Sequence, residues 1–127
     1  MNVNEIRLIN FRNYNNINFH LNKNINIFIG KNAQGKTNLL EGIYMCATGK
    51  SFRSNRDKEI INFSKNEAYV GANISLGDYE KFIEIKLDRD RPKRIRINKT
   101  ELKSYKELNS CLNVVIFSPE DLRIIKD

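Results

Sequence analysis

Two hydrophobic periods take turns along this chain of 127 residues. Glu5 to Phe11 is apolar at Ile6, Leu8, Ile9 and Phe11, and Ile17-Asn18-Phe19-His20-Leu21 alternates apolar with polar side chains. Asn13-Tyr14-Asn15-Asn16 between them is turn-forming, so the two segments predict a β-hairpin. Asn24-Ile25-Asn26-Ile27-Phe28-Ile29 is an apolar, β-branched run and predicts a further strand. From Lys36 to Thr48 the period changes: Leu39, Leu40, Ile43, Tyr44 and Ala47 recur at helical spacing, and Gly49 is placed to close the helix. A polar, basic connector follows from Lys50 to Lys58, then a short apolar stretch around Ile60, Ile61 and Phe63.

Period two returns between Glu67 and Ile97. Val70, Ala72, Ile74 and Leu76 share one face, Gly77-Asp78-Tyr79 turns the chain, and Ile83, Ile85, Leu87, Ile95 and Ile97 repeat the pattern around a charged turn at Pro92. This predicts an antiparallel meander with one buried and one wet face. Ser104 to Leu112 predicts a short helix and Asn113 to Phe117 a buried strand. Ser118-Pro119-Glu120-Asp121 then opens a helix, with Ser as N-cap, Pro at the first helical position and acids in the first turn. That helix carries Leu122, Ile124 and Ile125 and stops at Asp127 without a C-cap, which predicts a piece of a longer protein.

Candidate chemistry sits where the first strand run meets the helix. Gly30-Lys31-Asn32-Ala33-Gln34-Gly35-Lys36-Thr37 matches the phosphate-loop pattern G-x-x-x-x-G-K-[ST], in its confirming context of strand, glycine loop and helix. Gly30 and Gly35 let the backbone wrap closely around phosphates. The amides of residues 33 to 37 and the helix N-terminus supply partial positive charge. Lys36 would reach the β- and γ-phosphates, and the Thr37 hydroxyl would ligate Mg²⁺. The expectation is a nucleoside triphosphate site in an α/β (α+β) domain.

Composition adds less. The length fits one domain or part of one. No apolar run is long enough to span a bilayer and no signal peptide is present, so a soluble, cytoplasmic protein without membrane contact is expected. Cys46 and Cys111 read as buried free thiols, and His20 as a structural residue near a strand end. A net charge of +7 points to a polyanionic partner, although the chain is rich in Asn, Ile and Lys throughout. Lys50, Arg53, Arg56 and Lys58 form one basic cluster, with Phe52 among them for stacking; Lys93, Arg94 and Arg96, beside Arg89 and Arg91, form another. Either would bind nucleic-acid phosphates without sequence preference, or be a solvated surface.

Hydrolysis needs a strand-end carboxylate to hold the metal and polarise water. Val114 to Phe117 followed by Glu120 and Asp121 is the candidate, but helix capping already accounts for those acids. An incomplete site, without hydrolysis by this chain alone, is therefore expected. Asn98-Lys99-Thr100-Glu101 is close to the guanine-reading Asn-Lys-x-Asp of GTPases, which keeps a stand-alone P-loop GTPase open. The alternation of Arg94-Ile95-Arg96-Ile97 favours a hairpin turn there. A DNA-binding module without nucleotide is a third reading.

Four blocks resemble the RecF family of bacterial recombination-mediator ATPases, related to SMC and ABC-type ATPase heads. They are Leu8-Ile9-Asn10-Phe11-Arg12-Asn13-Tyr14, Gly30 to Glu41, Gly49-Lys50-Ser51-Phe52-Arg53 and Phe117-Ser118-Pro119-Glu120-Asp121-Leu122. The family often has Asn-Gly where this chain has Asn98-Lys99. The resemblance implies the N-terminal lobe of a P-loop ATPase head, residues 1–127, carrying a P-loop strand-helix unit and an antiparallel meander. Walker B acids, signature and helical arm would lie beyond Asp127. It implies ATP and Mg²⁺ as cofactors, with Gly30, Lys31, Asn32, Ala33, Gln34, Gly35, Lys36, Thr37 and Asn38 forming the phosphate loop. Arg12 and Asn13 would approach the nucleotide from the open side. It also implies binding to DNA, at gaps or single/double-strand junctions, during replication, repair and the SOS response. RecR and RecO would be partners, and ATP would be sandwiched in a homodimer as a dimerisation switch.

Overall fold

The computed structural model describes residues 2–20 and 34–109. In chain order they form β1 (Asn2–Phe11), β2 (Tyr14–His20), α1 (Gln34–Thr48), a 3-10 turn at Asp57–Glu59, β3 (Glu67–Leu76), β4 (Tyr79–Asp88), β5 (Arg94–Ile97), β6 (Thr100–Glu101) and α2 (Lys106–Asn109). The six strands make one sheet in the order β2-β1-β3-β4-β5-β6, with every neighbouring pair antiparallel.

The alternation sorts the sheet's two faces. Ile6 and Leu8 of β1, Val70, Ala72 and Ile74 of β3, Ile83, Ile85 and Leu87 of β4, and Ile95 of β5 are buried. Leu39, Ile43, Met45, Cys46 and Ala47 of α1 close over this face. Each such side chain contributes about 1.5–3 kcal/mol when fully buried. Gly42 sets how closely helix and sheet approach: a Cβ there would lie 2.8 Å from Leu8 Cδ2 and 3.3 Å from Ile6 Cδ1. The helix ends as its spelling predicts. Gly49 takes φ +82°, a left-handed conformation, and its amide donates to the Met45 carbonyl at 2.7 Å.

On the opposite face a buried carboxylate is held by a tyrosine and two cations. Tyr69 Oη donates to Glu84 Oε2 at 2.7 Å, while Arg96 and Lys99 stand 3.2 and 3.4 Å from Glu84 Oε1. Burial alone would push the Glu84 carboxyl up; the Tyr69 hydrogen bond and the two cations outweigh it and hold it below its usual range.

Several expectations are met and some are shifted. The meander and its Gly77-Asp78 turn are present, with Gly77 at φ +63°. Asn98 and Lys99 are the two turn residues between β5 and β6, at φ 50° and 72°. That is the primed-turn geometry of a tight hairpin. They are not a base-reading loop behind a buried parallel strand. The first hairpin turns earlier than composition suggests. Phe11 pairs with Tyr14, so the turn is Arg12-Asn13 and not residues 13–16. Ile60 and Ile61 are buried, but Phe63 is 93% exposed. Ser104 opens α2 through a capping box, its Oγ accepting from the Lys106 amide while Glu107 Oε2 accepts from the Ser104 amide. The predicted strands at 24–29 and 113–117, the helix from Ser118 and Cys111 lie outside the described residues.

Candidate phosphate-binding site

Helix α1 begins at Gln34, inside the glycine-rich pattern, so its first-turn amides belong to that pattern. No acid occupies the first turn, and the positive end of the helix dipole is left for an anion. Gln34, Gly35 and Lys36 open the helix, and Thr37 and Asn38 follow on it. Gly30, Lys31, Asn32 and Ala33 lie outside the described residues.

Beside this helix two chain segments converge on one of its acids. The Glu41 side chain is fully buried. Arg12, in the β1–β2 turn, donates from Nε to Glu41 Oε1 at 2.9 Å and from Nη2 to Oε2 at 2.7 Å, a bidentate fork. Arg53 of the connector reaches Oε1 from Nη2 at 2.5 Å, and Ser51 Oγ donates to Oε2 at 2.5 Å. Asn38 completes the group: its Nδ2 donates to Asn13 Oδ1 at 2.7 Å, and its Oδ1 accepts from Arg53 Nη2 at 2.6 Å. The predicted site residues Arg12, Asn13 and Asn38 are therefore gathered along α1 between Asn38, next to Thr37, and Glu41, one helical turn after it.

Backbone geometry explains why Arg12 can do this. Asn10 and Arg12 adopt φ 52° and 55°, left-handed values that cost a non-glycine residue about 1–2 kcal/mol. Bonds with residues 59–62, just past the connector, hold them there. The Arg12 amide donates to the Ile60 carbonyl at 2.7 Å, the Asn62 amide donates to the Asn10 carbonyl at 2.8 Å, and Arg12 Nη1 donates to the Glu59 carbonyl at 3.2 Å. Burial would raise the Glu41 carboxyl, but hydrogen bonds from Arg12, Arg53 and Ser51 prevail and hold it below the usual carboxylate range. Hydrogen bonding to Glu41 likewise raises Arg12 further into its cationic form.

Glu41 and Ser51 were not singled out as site residues by sequence reasoning. The signal was an acid among Leu39, Ile43, Met45 and Cys46, a register that packs on the sheet. Cys46 itself is buried as expected, and burial pushes its thiol up to about 12.

The basic residues divide. Lys50, Arg56 and Lys58 are exposed, and their charged groups have no partner among the described residues. Arg53 is committed to Glu41 and Asn38, and Phe52 packs edge-on against Tyr44 at 5.4 Å. In the second cluster, Arg94 pairs with Glu101 and Arg96 with Glu84. Lys93 stands 3.4 Å from Asp57 of the 3-10 turn. Arg56, Lys58, Arg89, Arg91 and Lys93 line a single open cleft of about 520 Å³ with Asp57, Asp88 and Asp90. The cleft joins Arg56 and Lys58 of the first cluster to Lys93, Arg89 and Arg91 of the second, while Lys50, Arg53, Arg94 and Arg96 lie outside it.

A sheet-and-helix lobe whose α1 follows directly on the glycine-rich sequence pattern is the architecture of an ABC/SMC-type P-loop ATPase head. An SMC ATPase structure superposes with a TM-score of 0.68 at 19% identity, covering 86% of this chain and 76% of that one, a likeness of fold alone. Residues 5–118 match the family model described as AAA domain. By that match the chain belongs to the AAA domain family. It is 50% identical over its whole length to the DNA replication and repair protein RecF of Clostridium acetobutylicum, of which it covers 35%. It also superposes with TM-score 0.82 and 38% identity on a solved structure described as the recombination mediator protein RecF-ATP in the RecFOR pathway, covering 94% of this chain and 33% of that one. The chain thus spans about a third of the length of the relatives it matches.

Proposed function

We propose that this chain is the N-terminal lobe of a RecF-type ATPase head, whose phosphate loop binds ATP in a protein of DNA replication and repair. The observation that carries this is the phosphate-loop pattern running directly into α1, with Arg12, Asn13 and Asn38 gathered beside it. Gly30 to Asn38 would cradle the phosphates, with Lys36 on the β- and γ-groups. The donor chemistry fits Mg²⁺. Thr37 offers one hard oxygen, and among the described residues no cluster of His, Cys, Asp or Glu could hold a metal. A minimal protein ligand with phosphates completing the shell is how Mg²⁺ is commonly held. Such an ion would neutralise charge on the phosphates.

The proposal extends to ATP as a dimerisation switch, with a second subunit covering the open side of the site. It also covers DNA at gaps or junctions, and RecR and RecO as partners. Support for these comes from the relatives named above and from the basic cleft. No helix among the described residues is long and apolar enough to cross a membrane.

Binding of Mg-ATP and Mg-GTP, compared by calorimetry, tests the nucleotide reading. ATP should bind in preference; a clear preference for GTP, or no binding of either, would contradict it. For DNA, the charges without intramolecular partners make the sharper test. Arg56→Ala with Lys58→Ala should flatten the slope of log affinity against log salt by roughly 1.8, at about 0.9 for each duplex-DNA phosphate no longer neutralised. The wild-type slope persisting in this variant would mean that the connector is only a solvated loop.

A further inference from the structure

We propose that Glu41 is a positioning residue that couples the phosphate loop to the basic connector, so that nucleotide binding orders residues 51–59. The inference rests on the nucleotide reading above and adds its regulation. Thr37 lies in the first turn of α1 and Glu41 four residues on, one turn further along the same side of the helix. The two carboxylate oxygens of Glu41 accept four hydrogen bonds from two segments outside that helix: two from Arg12, one from Arg53 and one from Ser51. Asn38 repeats the link on the same helix, joining Asn13 on one side and Arg53 on the other.

Beyond that anchor the ties of residues 51–59 to other elements are few: Phe52 packs against Tyr44, and the Glu59 carbonyl accepts from Arg12 Nη1. Ser51 Oγ accepts from the amides of Arg53 and Ser54, at 2.9 and 3.1 Å, so the turn it organises depends on where Glu41 holds that hydroxyl. Ser54 bonds Glu59 within the same segment. Lys93 to Asp57, at 3.4 Å, is its one ion pair to the meander among the described residues. An anion drawn to the first turn of α1 would act on Asn38 and Glu41 directly, and through them on Arg53 and Ser51. Arg56 and Lys58, cations without a partner among the described residues, then inherit an orientation set at the phosphate site. A coupling of this kind is reciprocal: the factor by which nucleotide favours the ordered connector is the factor by which the ordered connector tightens nucleotide binding.

The experiment is hydrogen exchange of the connector amides, measured with calorimetry on the same samples of wild type, Arg53→Ala and Arg53→Lys, with and without Mg-ATP. In wild type, saturating Mg-ATP should slow exchange across residues 51–59. Arg53→Ala should still bind Mg-ATP, roughly tenfold more weakly, and lose that protection, while exchange in β3 and β4 stays as in wild type. Arg53→Lys, which keeps a cation beside Glu41, should recover part of both. Mg-ATP binding to wild type with no change in connector exchange overturns the coupling while leaving the nucleotide reading intact. Full connector protection in Arg53→Ala overturns it as well. Absence of Mg-ATP binding in wild type overturns the nucleotide reading, and the coupling with it.

Discussion

Glu41→Ala is expected to destabilise the fold by about 3 kcal/mol, seen as a lower urea midpoint at unchanged denaturant slope. Removing one partner of a buried ion pair typically costs about 3–5 kcal/mol, because the charge left behind is poorly solvated. The lower end applies here. The Arg12 and Arg53 side chains retain 23% and 32% exposure, so each guanidinium can recover part of its hydration once the acid is gone. The loss is still a large share of the roughly 5–15 kcal/mol that holds a domain together. Glu41→Gln, close in size but uncharged, isolates the electrostatic part.

The same carboxylate gives the effect a pH signature. Its folded-state pKa lies below the ordinary value of 4.5, so its ionised form adds stability that is fully present above about that pH. That stability is lost as pH falls through the lower folded value. The gap between wild type and Glu41→Gln should therefore be constant near neutrality and shrink below about pH 4.5. Equal midpoints for wild type and Glu41→Ala at neutral pH would mean that the cluster is not what fixes α1 to the first hairpin.

Local order in this fold was legible where one short-range signal dominated. In β3 and β4 the alternation of Val70, Ala72 and Ile74, then Ile83, Ile85 and Leu87, matches the pleat, and Gly77-Asp78 marks the turn. In the first hairpin two signals conflicted. Asn13 to Asn16 has turn composition, but Tyr14 pairs with Phe11 and its ring packs against Phe19 at 6.2 Å. The cross-strand pairing with Phe11 decided where the strand begins. The pairing of β1 with β3, which puts the first hairpin at the edge of the meander, had no local signature.

The site was legible to a similar extent. Lys36 and Thr37 follow from a motif with a mechanism, and Arg12 and Asn13 from the family resemblance. Glu41 was not read as functional because an acid on an apolar helix face has meaning only once its partners are known. Those partners, Arg12 and Arg53, lie 29 and 12 residues away along the chain. For the same reason Arg53 read as a DNA-phosphate contact, although Glu41 and Asn38 hold its guanidinium.

Lys36→Ala bears on the central claim most directly, because it removes the one side-chain charge that the phosphate-loop pattern dedicates to the β- and γ-phosphates. A hydrogen bond between charged groups contributes about 1.5–3 kcal/mol, which sets the loss at roughly ten- to a hundredfold or more in affinity. Wild-type binding of Mg-ATP should itself be weak, since the proposed dimer partner would form the remaining wall of the site. Such a loss would take the variant beyond detection. The decisive measurement is a calorimetric titration of Mg-ATP into wild type and Lys36→Ala at matched concentrations, with urea midpoints recorded to verify that both are folded. Saturable heat in wild type and none in the folded variant is the predicted result; equal affinity in both would contradict the phosphate-loop assignment.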